Sequence, residues 1–120
     1  MRTVQSELAR IATKIYGQDF RGARNELIRL DKEFPSNADI NNLLGYTARK
    51  LKLYTVSAFH YKKALEIDPG HLDALEYQGE LFVLTRKFSE ARKNLSKLEK
   101  LCGVACPQFQ DLKKAIGNKR

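Results

Sequence analysis

Along most of the chain the apolar positions fall three and four residues apart, the spacing that gathers them on one face of an α-helix. Leu43, Leu44, Thr47, Ala48 and Leu51 form one such stripe, and Leu53-Tyr54 interrupts it. Val56, Phe59, Tyr61, Ala64, Leu65 and Ile67 carry the pattern on until Asp68-Pro69-Gly70 stops the helix. A similar pair follows: Leu72, Leu75, Leu81, Phe82 and Leu84, a break at Arg86-Lys87, then Phe88, Ala91, Leu95, Leu98 and Leu101. An earlier pair runs from about Thr3 to Tyr16, turns at Gly17-Gln18-Asp19 and resumes from Phe20 to Phe34. Ser36 or Asn37 is placed to cap the helix after Pro35. A seventh helix, roughly Pro107 to Ile116, has Phe109, Leu112 and Ile116 on one face. Pro107 suits its first turn, where the missing N–H costs nothing.

The pairs repeat. Sliding the sequence by 34 residues superposes Phe20, Tyr54 and Phe88, then Ala23, Ser57 and Ala91, then Leu27, Tyr61 and Leu95, then Leu30, Ala64 and Leu98. Pro35 falls on Pro69 and Gly45 on Gly79. Two antiparallel helices touch along their length only where small side chains let the backbones approach, and Gly45, Gly79, Ala23, Ser57, Ala91 and Ala64 supply them. One hairpin cannot bury its apolar face alone, so neighbours must stack and the last needs a cap with a polar outer side. Gln108, Gln110, Asp111, Lys113 and Lys114 give the seventh helix such a side. Residues 1–120 therefore read as one domain, with repeats at about 3–35, 38–71 and 72–105 and a cap at about 107–118.

Leu44-Gly45, Tyr54, Ser57, Tyr61, Ala64 and Pro69 in the second repeat resemble the tetratricopeptide repeat (TPR) family. The third matches with Gly79, Phe82, Phe88, Ala91, Leu95 and Leu98, but has Gly103 where the family has Pro. The first matches in its second helix through Phe20, Ala23, Leu27, Leu30 and Pro35; in its first helix Leu8-Ala9 stands for Leu-Gly, which predicts a register shifted by one residue. The resemblance implies an all-α, right-handed α-α superhelix. Asn42-Leu43-Leu44-Gly45-Tyr46, the stretch Ala74 to Glu80 and the stretch Leu98 to Cys106 are also similar to small bacterial proteins of this family, many of them exported.

In that family the first helix of each repeat lines a concave groove that meets the ligand. Carried over by position, the groove residues are Asp39, Asn42, Tyr46 and Arg49 in the second repeat, and Asp73, Glu76, Glu80 and Val83 in the third. In the first, with the shifted register, they are Ser6, Arg10, Thr13 and Lys14. The expected groove is polar, basic at the first repeat and acidic at the third. It suits a protein segment of mixed charge aligned by complementary ends. The Lys/Asn/Arg clamp with which some members hold a C-terminal carboxylate is not reproduced, because Asp73 and Glu76 would repel it. A different class of reading is a structural module that self-associates into a homo-oligomer through its first helix or its cap.

Composition adds exclusions. Apolar residues at 42% and charged residues at 30% are those of an ordinary globular protein. No run approaches 18 apolar residues, as a membrane-spanning helix requires. The N-terminus lacks an apolar signal core, so the protein stays where it is made or a targeting segment lies outside this sequence; bacterial cytoplasm and periplasm are both compatible. The net charge of +8 is spread along the chain, whereas a nucleic-acid footprint is more often a concentrated stripe. Lys113, Lys114, Lys119 and Arg120 form its densest part, the best candidate for an anionic contact.

Cys102 and Cys106 flank a Gly103-containing loop, where a disulfide would pin the cap onto the third repeat and require an oxidising compartment. The alternative is two small apolar residues packed under the cap. With only His60 and His71 elsewhere, a four-ligand metal site is not expected. No nucleophile stands beside a histidine in a recognisable motif, and no phosphate-binding loop is present, so neither catalysis nor a cofactor is expected. Asn94-Leu95-Ser96 is a formal glycosylation sequon, but lies mid-helix.

Overall fold

The computed structural model describes residues 2–118. Seven helices are found among them: α1 Val4–Tyr16, α2 Phe20–Glu33, α3 Ala38–Lys50, α4 Tyr54–Ile67, α5 Leu72–Leu84, α6 Phe88–Cys102 and α7 Pro107–Ile116. Four start on a side-chain cap that satisfies an otherwise orphaned N–H. Thr3 accepts from Ser6 N, Asp19 from Gly22 N, Asn37 from Ile40 N and His71 from Ala74 N. Asn37 rather than Ser36 therefore caps α3.

The three hairpin turns are copies of one device. The N–H of Asp19 bonds the carbonyl of Lys14, that of Leu53 the carbonyl of Ala48, and that of Lys87 the carbonyl of Phe82. Each closes a Schellman-type turn whose tip is a residue in the left-handed region. Those tips are Gln18, Lys52 and Arg86, with φ of 67°, 64° and 64°. Glycine is the residue that fits this conformation without strain, yet Gly17 stands one place early, at φ −80°.

Helices pack on their chain neighbours, and α3 on α5 and α5 on α7 as well, so the array is a solenoid of hairpins with α7 stacked where a fourth would begin. It measures 44 × 27 × 24 Å. One core cluster lies in the first hairpin and α3, around Leu8, Ile11, Ala23, Leu27, Leu30, Ile40 and Leu44. A second joins the third hairpin to α7 through Leu75, Ala91, Leu98, Cys106, Phe109, Leu112 and Ile116. Phe59 and Leu101, counted in the apolar stripes, point outward instead, 61% and 54% exposed.

The expected one-residue shift of α1 is not found: α1 lies 34 residues before α3 at both ends, as α3 does before α5. Packing explains the false landmark. A Cβ on Gly45 would come within 2.7 Å of the Tyr61 ring. At the equivalent place in the first hairpin, buried Ile11 stands for the glycine and the smaller Leu27 for the tyrosine. On Gly79 a Cβ would come within 2.6 Å of Leu112 in α7. The glycines thus mark large neighbours, and α1 has none to accommodate. The helix pairs are also tied by buried polar groups: Ser57 Oγ donates to the Gly45 carbonyl, and Asn94 Nδ2 donates to the Leu75 carbonyl and to Gln78. Asn94 is buried, so the sequon it opens is part of the core.

Candidate functional site

The groove-facing rows of α3 and α5 lie side by side and meet in a cluster of charge and aromatic rings. Arg49 Nη1 lies 2.9 Å from Glu80 Oε1, with the Arg49 side chain only 10% exposed. Its guanidinium sits 5.2 Å from the Tyr46 ring centre and 5.9 Å from that of Tyr77, and the two rings are 5.0 Å apart. Glu76, 7% exposed, hydrogen-bonds to Glu80. Burial, that hydrogen bond and the nearby charges of Glu80, Asp111 and Asp73 push its carboxyl up to about 9. The protonated form of Glu76 is thus favoured where it lies against the Arg49–Glu80 ion pair.

The first-turn acids are engaged as well. His71 Nδ1 accepts from Ala74 N, which leaves Nε2 to carry the proton and donate to Asp39 Oδ1 at 2.7 Å. Asp73 Oδ1 accepts from Gln108 Nε2 of α7 at 3.0 Å. Asn42 is buried, and its Oδ1 accepts no hydrogen bond among the described residues.

Arg10 and Lys14 are not brought to these residues. Both face α2: Arg10 lies 2.6 Å and Lys14 3.3 Å from the Glu26 carboxylate. Glu7 and Arg2 extend this network to Glu33, across the front end of the array. With α1 in the unshifted register, Ala12, Ile15 and Tyr16 take the places that Tyr46, Arg49 and Lys50 hold in α3. Those three line a cavity of about 570 Å³ together with Phe20, Tyr46 and Lys50. On the other side of Lys50 a second cavity of about 460 Å³ is lined by Arg49, Glu80, Val83, Leu84 and Ala115. Tyr16 and Leu84, at their walls, are 93% and 54% exposed.

Sequence reasoning missed Ala12, Ile15, Tyr16, Lys50, Tyr77 and Leu84. The signal for the α1 residues was present: they fall 34 positions before the α3 row. Tyr77 carried none, because it lies beside the row rather than in it.

Cys102, the last residue of α6, and Cys106, the N-cap of α7, are joined by a disulfide. His60 bonds Asn41 across the α3–α4 packing, and burial with the charge of Arg24 lowers its pKa. Among the described residues no group of three His, Cys, Asp or Glu is placed to hold a metal ion, and no helix is long and apolar enough to cross a membrane. Of the basic tail, Lys113 and Lys114 sit in the last turn of α7; Lys119 and Arg120 lie outside the described residues.

No protein-family profile and no curated protein sequence matches the chain. Its structure is similar to solved ones. The TPR2B domain of yeast Sti1, in a complex with pHsp70, superposes with a TM-score of 0.82 at 15% identity, over 97% of each chain. The second TPR domain of human RPAP3, in complex with the HSP70 peptide SGPTIEEVD, superposes with a TM-score of 0.77 at 18% identity, over 92% of each chain. The fold is that of a TPR domain, an all-α solenoid.

Proposed function

We propose that the chain is a protein-interaction scaffold that holds a segment of a partner protein across α1, α3 and α5. The observation that carries this reading is the pair of cavities flanking Lys50, each walled by a large apolar side chain left open to solvent. Tyr16 is 93% exposed beside a cavity of about 570 Å³, so its ring is open to an occupant. Similar folds solved in complex with Hsp70 or an HSP70 peptide support the same use of the fold. A clamp for a terminal carboxylate would need cations where the third repeat has Asp73 and Glu76, so the reading takes an internal segment of the partner.

The polar ends weigh against a self-associating module. Ion pairs among Arg2, Glu7, Arg10, Glu26 and Glu33 close the front, and Gln110, Asp111, Lys113 and Lys114 are exposed on α7. Affinity capture from cells, with Ala12→Arg and Leu84→Arg as controls, tests the groove. A partner retained by the parent and lost by both variants is the expected result; equal retention by all three would sink the reading.

A further inference from the structure

The acids expected on the groove face are all engaged within the protein, though among the described residues only Glu80 is paired with a cation. Arg49 pairs with Glu80, buried Glu76 is hydrogen-bonded to that same Glu80, His71 holds Asp39 and Gln108 holds Asp73. Two cations beside the cavities are not engaged in this way. Lys50 and Lys52 make no ion pair among the described residues, and the Lys50 ammonium rests 5.5 Å from the Tyr46 ring centre. Lys50 borders both cavities, and Lys52 borders the second. Beside the cavities a ligand therefore meets apolar walls and the ammonium groups of Lys50 and Lys52, with the Arg49–Glu80 pair at the second cavity.

We infer that the partner segment carries an acidic residue between two bulky apolar side chains, its carboxylate meeting Lys50 and Lys52 and its apolar groups entering the two cavities. This rests on the groove reading above and gives it a chemistry. Charge complementarity selects the segment: an acid finds two ammonium groups that make no ion pair among the described residues, and a base at that place meets like charge. The apolar walls supply the non-directional part of the affinity. On the first side these are Ala12, Ile15, Tyr16 and Phe20, and on the second Val83, Leu84 and Ala115.

Two synthetic nonapeptide pools test it. Both carry the same mixture of Leu, Ile and Phe on either side of a central position, which is Asp or Glu in one pool and Lys or Arg in the other. Each is titrated into the 15N-labelled chain while the amide signals of Ala12, Tyr16, Lys50 and Leu84 are followed. The acidic pool is expected to shift these signals at a concentration about tenfold lower than the basic pool, with an affinity that falls as salt is added. The Lys50→Glu/Lys52→Glu chain should reverse the preference, and Ala12→Arg should weaken both pools. If the basic pool shifts the same amides as well or better, the acidic assignment is overturned and the groove reading stands. If neither pool moves those amides, both are overturned.

Discussion

A carboxyl group buried against a second carboxyl is cheapest to keep protonated, and Glu76 is in that position. Its pKa is raised in the folded chain, so between the ordinary carboxyl value of 4.5 and about 9 the folded state holds a proton that the unfolded chain releases. By linkage this contribution to stability falls as pH rises through that window. Glu76→Gln keeps the shape and removes the titration. It is expected to match the parent near the acid end and to become progressively more stable than the parent toward the alkaline end, as thermal unfolding at stepped pH would read; parallel curves for the two proteins would refute the assignment. A second test concerns backbone strain. Gln18 and Arg86 occupy left-handed turn tips, where an L-residue other than glycine is strained by roughly 1–2 kcal/mol, partly offset by the entropy glycine loses on folding. Gln18→Gly and Arg86→Gly should each gain about 0.5–1 kcal/mol in denaturant melts. The tip position was invisible in the sequence because the visible glycine, Gly17, sits next to it. Asn94 was hidden for a different reason. A polar residue inside an apolar stripe reads as surface until its hydrogen bonds to Leu75 and Gln78 are seen.

At the level of helices, the small residues of the 34-residue pattern tell where backbones cross, and those crossings are legible in the sequence. The placement of α1 was not, because a glycine signals a large neighbour and not a register. Gly45→Ala should therefore cost roughly 1–3 kcal/mol through its clash with Tyr61, as overpacking does. Combining it with Tyr61→Leu should recover part of the loss, because Ile11 opposite Leu27 already shows that exchange in the first hairpin. A double variant no better than the sum of the singles would show that the two sites do not share this contact. The disulfide closes a span of only four residues, so loop-closure entropy assigns it no more than roughly 2 kcal/mol. Phe109, Leu112 and Ile116 also seat α7 by their own burial. Reduction should lower the melting temperature yet leave the amides of α7 protected in hydrogen exchange; loss of that protection would mean that the bond, and not the apolar face, seats the cap.

Across the whole molecule, the fold was readable from one period, whereas the electrical character of the groove was not. Formal charge on α5 promised an acidic third repeat, but contacts across helices decide how those acids are held: Arg49 pairs with Glu80, while His71 and Gln108 orient Asp39 and Asp73 by hydrogen bonds. No local pattern records such pairs. With both ends of the array closed by polar surface, the chain should remain a monomer, and light scattering at increasing concentration would reveal any departure as a rise in mass.

The front of the array has a further effect. α1 packs chiefly on α2 and shares its core with α3, and Arg2, Arg10 and Lys14 bind it to α2 through ion pairs that salt weakens. It is the least anchored helix, yet Ala12, Ile15 and Tyr16 make one wall of the larger cavity. Fraying of α1 and loss of that wall are thus a single equilibrium. Each undocked moment discounts the apparent affinity by the fraction of chains left without a wall, and an occupant repays it by acting as a brake on that fraying, so the occupied groove would announce itself in the slowed exchange of a helix whose own hold is among the weakest in the array.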